Sequence, residues 1–305
     1  MHRYWKLCIV VVLITVIGNY VNADCRYGCE ANDCPCDCLT RKIQCSNKNV
    51  TEIGHFPSKA IYHRADFGGN LITILRRHQF KHKNMRNLHE LQLSSNHLTT
   101  IEDGAFVGLQ NLRTLYLSNN RIKVIRRETW TGLNSLKHLY LKNNLIEKID
   151  GSCFEHIHST LELLYLQQNR IQFISPRAFE KMTSLKTIDL SGNFISHMDG
   201  RFLSKTVALS FLFLSKNPWQ CDDVTICSTM ETLDRNEDIM LLDQVICHGP
   251  EKHKGKDGFD VLTELNCTNI VYPVYSEPDN ASGKENSNVF LLFFSLILYF
   301  VLVSV

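Results

Sequence analysis

Seven asparagines, Asn70, Asn96, Asn120, Asn144, Asn169, Asn193 and Asn217, recur at nearly equal spacing along the chain. Each sits inside the frame LxxLxLxxNxL, with any apolar residue admitted at L. The frame is spelled LHELQLSSNHL from Leu88, LRTLYLSNNRI from Leu112, LKHLYLKNNLI from Leu136, LELLYLQQNRI from Leu161 and LKTIDLSGNFI from Leu185. One such match arises easily by chance, but seven in phase define a repeat protein, in which each unit buries its apolar face only by stacking on its neighbours. Within a unit, Leu115 and Leu117 alternate along a short strand and point to the core, and Ile122 and Ile125 fill that core from beyond the turn. An asparagine at the bend between them is buried. Its amide must therefore hydrogen-bond the backbone of its own unit and of the next, giving a ladder of satisfied polar groups. An aromatic returns five residues after the last aliphatic as Phe80, Phe106, Trp130, Phe154 and Phe179. The unit after Asn193 departs from this spacing, offering Phe202 at four and Leu203 at five.

This period and frame, from Tyr62 to Asn217, resemble the leucine-rich repeat. The resemblance implies an α/β repeat solenoid: a curved horseshoe with a concave parallel β-sheet, the aromatics stacked as a spine beneath the convex face, and disulfide-rich caps at both ends. Cysteine supplies the caps. Six of the 12 cysteines fall in DCRYGCEANDCPCDCLTRKIQC, as Cys25, Cys29, Cys34, Cys36, Cys38 and Cys45, and four follow the last repeat, as Cys221, Cys227, Cys247 and Cys267. The spacing of Cys36, Cys38 and Cys45 is similar to the N-terminal cap of extracellular leucine-rich repeat proteins. Asn217-Pro218-Trp219 opening a four-cysteine segment is similar to their C-terminal cap. That resemblance implies Cys221 paired with Cys247 and Cys227 with Cys267, although the family's second cysteine usually stands two residues after the first, where this chain has Asp223. The six N-terminal cysteines allow 15 pairings, and the sequence does not choose among them. A metal site in CPCDC is the alternative reading of that run; disulfides are the rule for a secreted cysteine cluster. Cys153, in GSCF, aligns with Ala105 and reads as a buried, unpaired small hydrophobe. A nucleophile helped by His156 or His158 would lack a third partner.

Both ends of the chain speak to compartment. Residues 1–23 have Arg3 and Lys6 before an apolar run and end in Val21-Asn22-Ala23, the pattern of a signal peptide. A cap then spans 24–61, about seven repeats span 62–217, the second cap spans 218–270, and a polar linker spans 271–288. Residues 289–305 are 17 in number and carry no charge. A small-residue run at Asn280-Ala281-Ser282, a spacer and this apolar tail resemble a glycosylphosphatidylinositol (GPI) signal with attachment at Asn280. A short single-pass span is the other reading. N-glycosylation frames begin at Asn49, Asn266 and Asn280, and the last competes with lipid attachment.

Charge is polarised along the chain. Residues 62–150 carry 14 Lys/Arg against 7 Asp/Glu, densest in RRHQFKHKNMR, whereas 221–267 carry 4 against 11. The basic run, with Arg76, Arg77, Lys81, Lys83 and Arg86, is a candidate polyanion site of the heparan sulfate kind, or else an ordinary solvated face. Nucleic acid is excluded as a partner by the secreted character of the chain. The residues between the core leucines face the concave sheet, and their middle column reads Asp66, Gln92, Tyr116, Tyr140, Tyr165, Asp189, Phe213. Tyr116, Tyr140 and Tyr165 form a continuous stripe, flanked by His138, Leu163, Thr187 and Phe211. Tyr116, Tyr140, Tyr165, His138, Leu163, Phe211 and Phe213 are the candidate ligand site, because tyrosine presents a large area at low entropic cost. No HExxH, GxSxG or unexplained carboxylate pair is present, and no cofactor is expected. The chain resembles small GPI-anchored members of the extracellular repeat family, Nogo receptor-like and variable lymphocyte receptor-like. The resemblance implies a protein ligand in adhesion, guidance or receptor recognition, with a transmembrane co-receptor if it signals. An innate immune sensor or a heparan sulfate binder is the alternative.

Overall fold

The computed structural model describes residues 34, 36–37, 40–54, 61–81, 83–203, 206–222, 227, 229, 233 and 239–265. Its backbone is a ladder of ten short strands running along a curved solenoid. In spatial and chain order they are Cys36–Asp37, Lys42–Gln44, Arg64–Asp66, Glu90–Gln92, Thr114–Tyr116, His138–Tyr140, Leu163–Tyr165, Thr187–Asp189, Phe211–Phe213 and Met240–Leu241. The first pair is antiparallel and every later pair is parallel. Register is constant: Ala65, Leu91, Leu115, Leu139, Leu164, Ile188 and Leu212 stand side by side, all buried. The strict spacing produces this register, because a one-residue slip would turn a whole apolar set toward water.

The asparagine ladder closes the bend. Asn144 is representative: its Oδ1 accepts from the Ile122 N–H at 3.1 Å, and its Nδ2 donates to the Leu117 carbonyl at 2.9 Å and to the Leu141 carbonyl at 3.0 Å. The same three contacts recur at Asn70, Asn96, Asn120, Asn169, Asn193 and Asn217. An aliphatic residue of similar size would fill the space but orphan three buried backbone groups, which is why the position is polar.

Return segments are short: two-residue strands at Ile74–Leu75 and Thr100–Ile101, and again at Lys148–Ile149 and Phe173–Ile174, pair in parallel, and 3-10 turns cover Lys83–Asn87, Arg127–Trp130 and Gly200–Leu203. They cross so closely that a Cβ on Gly132 (φ +97°) would lie 2.8 Å from Val107 Cα and 2.9 Å from the Phe106 carbonyl oxygen. The aromatic spine stacks as Phe80, Phe106, Trp130, Phe154 and Phe179, with centroids 6.1, 6.4, 6.3 and 5.9 Å apart and planes within 19° of parallel. Phe202 continues it at 5.6 Å but turned by 60°, edge to face. Its one-residue displacement in the repeat is the physical reason: the ring enters from a different point of the turn.

Both ends of the stack are covered. A disulfide joins Cys34 to Cys45, tying the first turn. At the other end Trp219 is buried with its Nε1–H donated to the Leu214 carbonyl at 3.0 Å, and a disulfide joins Cys221 to Cys247, the pair implied by the cap resemblance. Cys227 is buried and also disulfide-bonded. The helix Gly258–Glu264 closes this cap, its N-terminus held by the Asp257 carboxylate accepting from the Phe259 N–H at 2.9 Å. Cys153 is free and fully buried, and burial pushes its thiol well above the ordinary range, so it is an inert filler of the small slot that Ala105 occupies one repeat pair earlier. Cys25, Cys29, Cys38, Cys267 and the Cys36 side chain lie outside the described residues, as do residues 1–23 and 271–305 with the signal peptide, linker and anchor expected there. Among the described residues no helix is long and apolar enough to cross a membrane.

Candidate functional site

A parallel sheet that is covered on one side by leucines and open on the other displays every second side chain to solvent. Tyr116, Tyr140 and Tyr165 occupy matching positions of three successive strands. Their rings stack, with centroids 4.6 Å and 5.0 Å apart and planes within 15° and 7° of parallel. The spacing copies the interstrand distance of about 4.8 Å, so the backbone itself holds the rings in contact and little side-chain entropy remains to be lost on binding. All three are half-buried. Burial first, then Glu90, pushes the Tyr116 phenol up against a smaller opposing pull from Arg64. The Tyr140 phenol is raised by burial and by its two tyrosine neighbours. Both hydroxyls are neutral donors at physiological pH.

His138 and Leu163 stand half-buried in the adjoining column, where the His138 ring lies 3.4 Å from Thr114 Oγ1. Burial lowers the His138 pKa below its ordinary value, with Lys137 and Lys186 adding to the effect and Glu162 opposing it. Alongside runs a charged rail. Glu162 accepts from Lys137 Nζ at 2.6 Å and from Lys186 Nζ at 2.8 Å, and these two hydrogen bonds, Lys137 first, draw its carboxyl down to about 2. The sheet is thus graded along its length. Its early strands are polar, with Arg64 and Glu90 paired at 3.2 Å and the Asp66 and Gln92 side chains turned onto the N–H groups of Gly68 and Ser94. Its middle is aromatic. Its far end is apolar, where exposed Phe211 pairs in register with exposed Met240 and half-buried Phe213 adjoins them.

The basic residues are arranged differently. Arg76, Arg77, Lys81 and Arg86 are exposed on the return segment, away from the concave sheet, and the Lys83 side chain lies outside the described residues. Arg76 meets Glu52 at 3.3 Å, and the Arg77 N–H donates to the Glu102 carboxylate at 2.7 Å, so acidic side chains of the turns before and after sit against the two arginines. Asn49 is exposed with a left-handed backbone (φ 56°), while Asn266 and Asn280 lie outside the described residues.

Two members of the concave face carried no site role in the sequence reading. Met240 lies outside the repeat frame, and only the fold places it beside Phe211. Asp189 stands in the aromatic column but is buried, with Ser191 donating to its Oδ1 from both N–H (3.0 Å) and Oγ (2.7 Å). Its one sequence signal was an acid interrupting an otherwise aromatic run.

The chain matches the leucine rich repeat family over residues 66–122, 86–146, 110–163 and 159–218, which together span half of its 305 residues. Among solved structures, human 5T4 (Wnt-activated inhibitory factor 1, trophoblast glycoprotein) is similar at 24% identity and a TM-score of 0.50, over 78% of this chain and 98% of that one. At that identity the likeness is one of fold. No curated protein matches the sequence.

Proposed function

Since this chain belongs to the leucine-rich repeat proteins, we propose that it is an extracellular, cell-surface member that binds a protein ligand on its concave sheet, in adhesion, guidance or receptor recognition. The observation that carries the reading is the ladder of Tyr116, Tyr140 and Tyr165: three stacked, pre-ordered rings, open to a partner. Rigid concave surfaces are what solenoids use for recognition, and aromatic anchors dominate protein interfaces. In this reading residues 1–23 are a signal peptide, Asn49 and Asn266 carry glycans, and Asn280 is the site of a GPI anchor, so that signalling passes through a transmembrane co-receptor.

Three experiments test it. Proximity labelling on intact cells, repeated with Tyr116, Tyr140 and Tyr165 all changed to alanine, should lose the ladder-dependent partner while secretion and folding persist, because truncating interface anchors costs about 2 kcal/mol or more each, non-additively. An unchanged partner set would sink the concave reading. If the neutral exchange of Arg76, Arg77, Lys81 and Arg86 to glutamine abolishes cell-surface binding instead, the ligand is a polyanion of the heparan sulfate kind. The anchor is checked with phosphatidylinositol-specific phospholipase C, which should release the protein from cells; retention alongside a released control would mark the tail as a membrane span.

A further inference from the structure

The strand Thr187–Asp189 breaks the pattern of the concave sheet. In the strands on either side, the first and third residues stand partly out of the surface. Here both are buried, Thr187 to 7% and Asp189 to 9% of full exposure. Neighbouring bulk is the cause. Register puts Leu163 and Phe211 on the two sides of Thr187, and Tyr165 and Phe213 on the two sides of Asp189. Two short side chains between two pairs of long ones leave a furrow one strand wide, with a hydroxyl and a carboxylate on its floor. Strands about 4.8 Å apart set the backbones of the two walls about 9.6 Å apart. A flat group in van der Waals contact on both faces takes about 7–8 Å.

The floor is chemically incomplete. Oδ1 of Asp189 is committed to Ser191, whereas Oδ2 accepts no hydrogen bond among the described residues. Lys186 is held by Glu162 at 2.8 Å. Asp243 adds negative charge and is itself fixed by the N–H groups of Leu214 (2.7 Å) and Ser215 (2.9 Å). Lys142 acts on Asp189 only at the level of charge, as the weakest influence on it. A second uncommitted acceptor lies nearby in the chain, since Oε1 of Gln167, two residues beyond Tyr165, is buried without a partner among the described residues.

A carboxylate buried between aromatic walls, with an open oxygen and no cation hydrogen-bonded to it among the described residues, is complementary to a flat cation. Guanidinium meets both demands: it is planar and weakly hydrated, stacks on aromatic faces, and presents a fork of donors to a carboxylate. An ammonium is a compact, strongly hydrated point charge that uses neither wall as fully. We propose that the furrow between Tyr165 and Phe213 seats an arginine side chain of the bound protein partner, its guanidinium stacked on the rings and paired with Asp189. The inference rests on the concave-face reading above and names the chemistry of the residue that reads its far end.

The test uses the full-length protein and the blocked peptide acetyl-Gly-Arg-Gly-amide, with lysine and citrulline counterparts, followed by NMR at the side-chain carboxyl carbon of Asp189 and the ring signals of Tyr165 and Phe213. The arginine peptide should shift all three saturably, the lysine peptide should bind about tenfold more weakly, and the neutral citrulline peptide should leave them unmoved. Asp189→Asn keeps an acceptor for Ser191 and so keeps the fold, yet should weaken the arginine peptide about tenfold by the ring signals; Phe213→Leu should do the same through loss of a wall. Equal binding of citrulline, equal binding of lysine, or no saturable shift would each overturn the proposal. Because the titration needs no native partner, failure here alongside partner loss in the tyrosine triple variant removes only the arginine seat. Success here with an unchanged partner set removes the ladder reading and, since Tyr165 is a wall of the furrow, leaves a guanidinium site that the partner does not use.

Discussion

The solenoid carries two aromatic stacks, and the contrast between them separates what holds the protein together from what it leaves open to solvent. Phe80, Phe106, Trp130, Phe154 and Phe179 form the first, each ring fully buried and about 6 Å from the next. Tyr116, Tyr140 and Tyr165 form the second, closer at 4.6 and 5.0 Å and half open to water. Both have one ring per turn because the same backbone repeat generates both. They differ in the other side of the ring. Spine rings meet leucines and the return backbone, so removing one leaves a cavity; ladder rings meet solvent, so removing one leaves only a lower surface.

That contrast predicts its own largest effect. Trp130→Ala should lower stability by about 3–5 kcal/mol in denaturant unfolding, as full truncation of a buried aromatic does, whereas Tyr140→Ala should cost about 1 kcal/mol or less. Similar losses at the two positions would erase the distinction. Trp130→Phe sharpens it: the indole Nε1 is buried without a partner among the described residues, so the smaller ring gives up volume but also removes an orphaned donor, and the change should cost about 1 kcal/mol.

A smaller effect belongs to the charged rail beside the ladder. Glu162 titrates at about 2 because Lys137 and Lys186 hydrogen-bond its ionised form, against an ordinary value of 4.5. A folded-state carboxyl lowered in this way adds stability that is complete above about pH 4.5 and is lost as pH falls toward 2. Glu162→Gln should therefore destabilise by about 1 kcal/mol at pH 7 and low salt, with the gap to wild type closing through that window. A gap that persists at pH 2 would assign the effect to packing.

The smallest predicted effect has the opposite sign. Burial raises the Asp189 carboxyl above its ordinary 3.8, so the folded state keeps a proton that the unfolded state has released, and the native charge costs stability at neutral pH. Asp189→Asn should slightly raise the unfolding midpoint at pH 7, and the gain should vanish as pH drops below 3.8. A loss of stability at neutral pH would show that the carboxylate is structural and weaken the case that it is kept for a ligand.

Much of this was legible in the chain. The seven asparagines, the leucine register, the tyrosine column and the five stacked spine rings all follow from the period, and the altered spacing at Phe202 marked the unit that departs, though not its edge-on turn. The adjacency of the candidate site's three tyrosines was legible, since a repeat that fixes which residues face the open side of the sheet also fixes that they are neighbours. Other features were not. Nothing local to Arg76 shows that Glu52, in the preceding turn of the solenoid, sits 3.3 Å away, and nothing in six clustered cysteines singles out Cys34 with Cys45.

The sequence by itself determined the repeat and therefore the core, because in a solenoid each residue's environment is set by the same position one unit away, and that neighbour can be counted. Tertiary structure alone decided how deep a surface residue lies. Asp189 reads as one more outward-facing side chain, and becomes the floor of a furrow only because Tyr165, one repeat before it, and Phe213, one repeat after it, rise on either side. Burial on the open face is a property of three strands together, and no single repeat contains it.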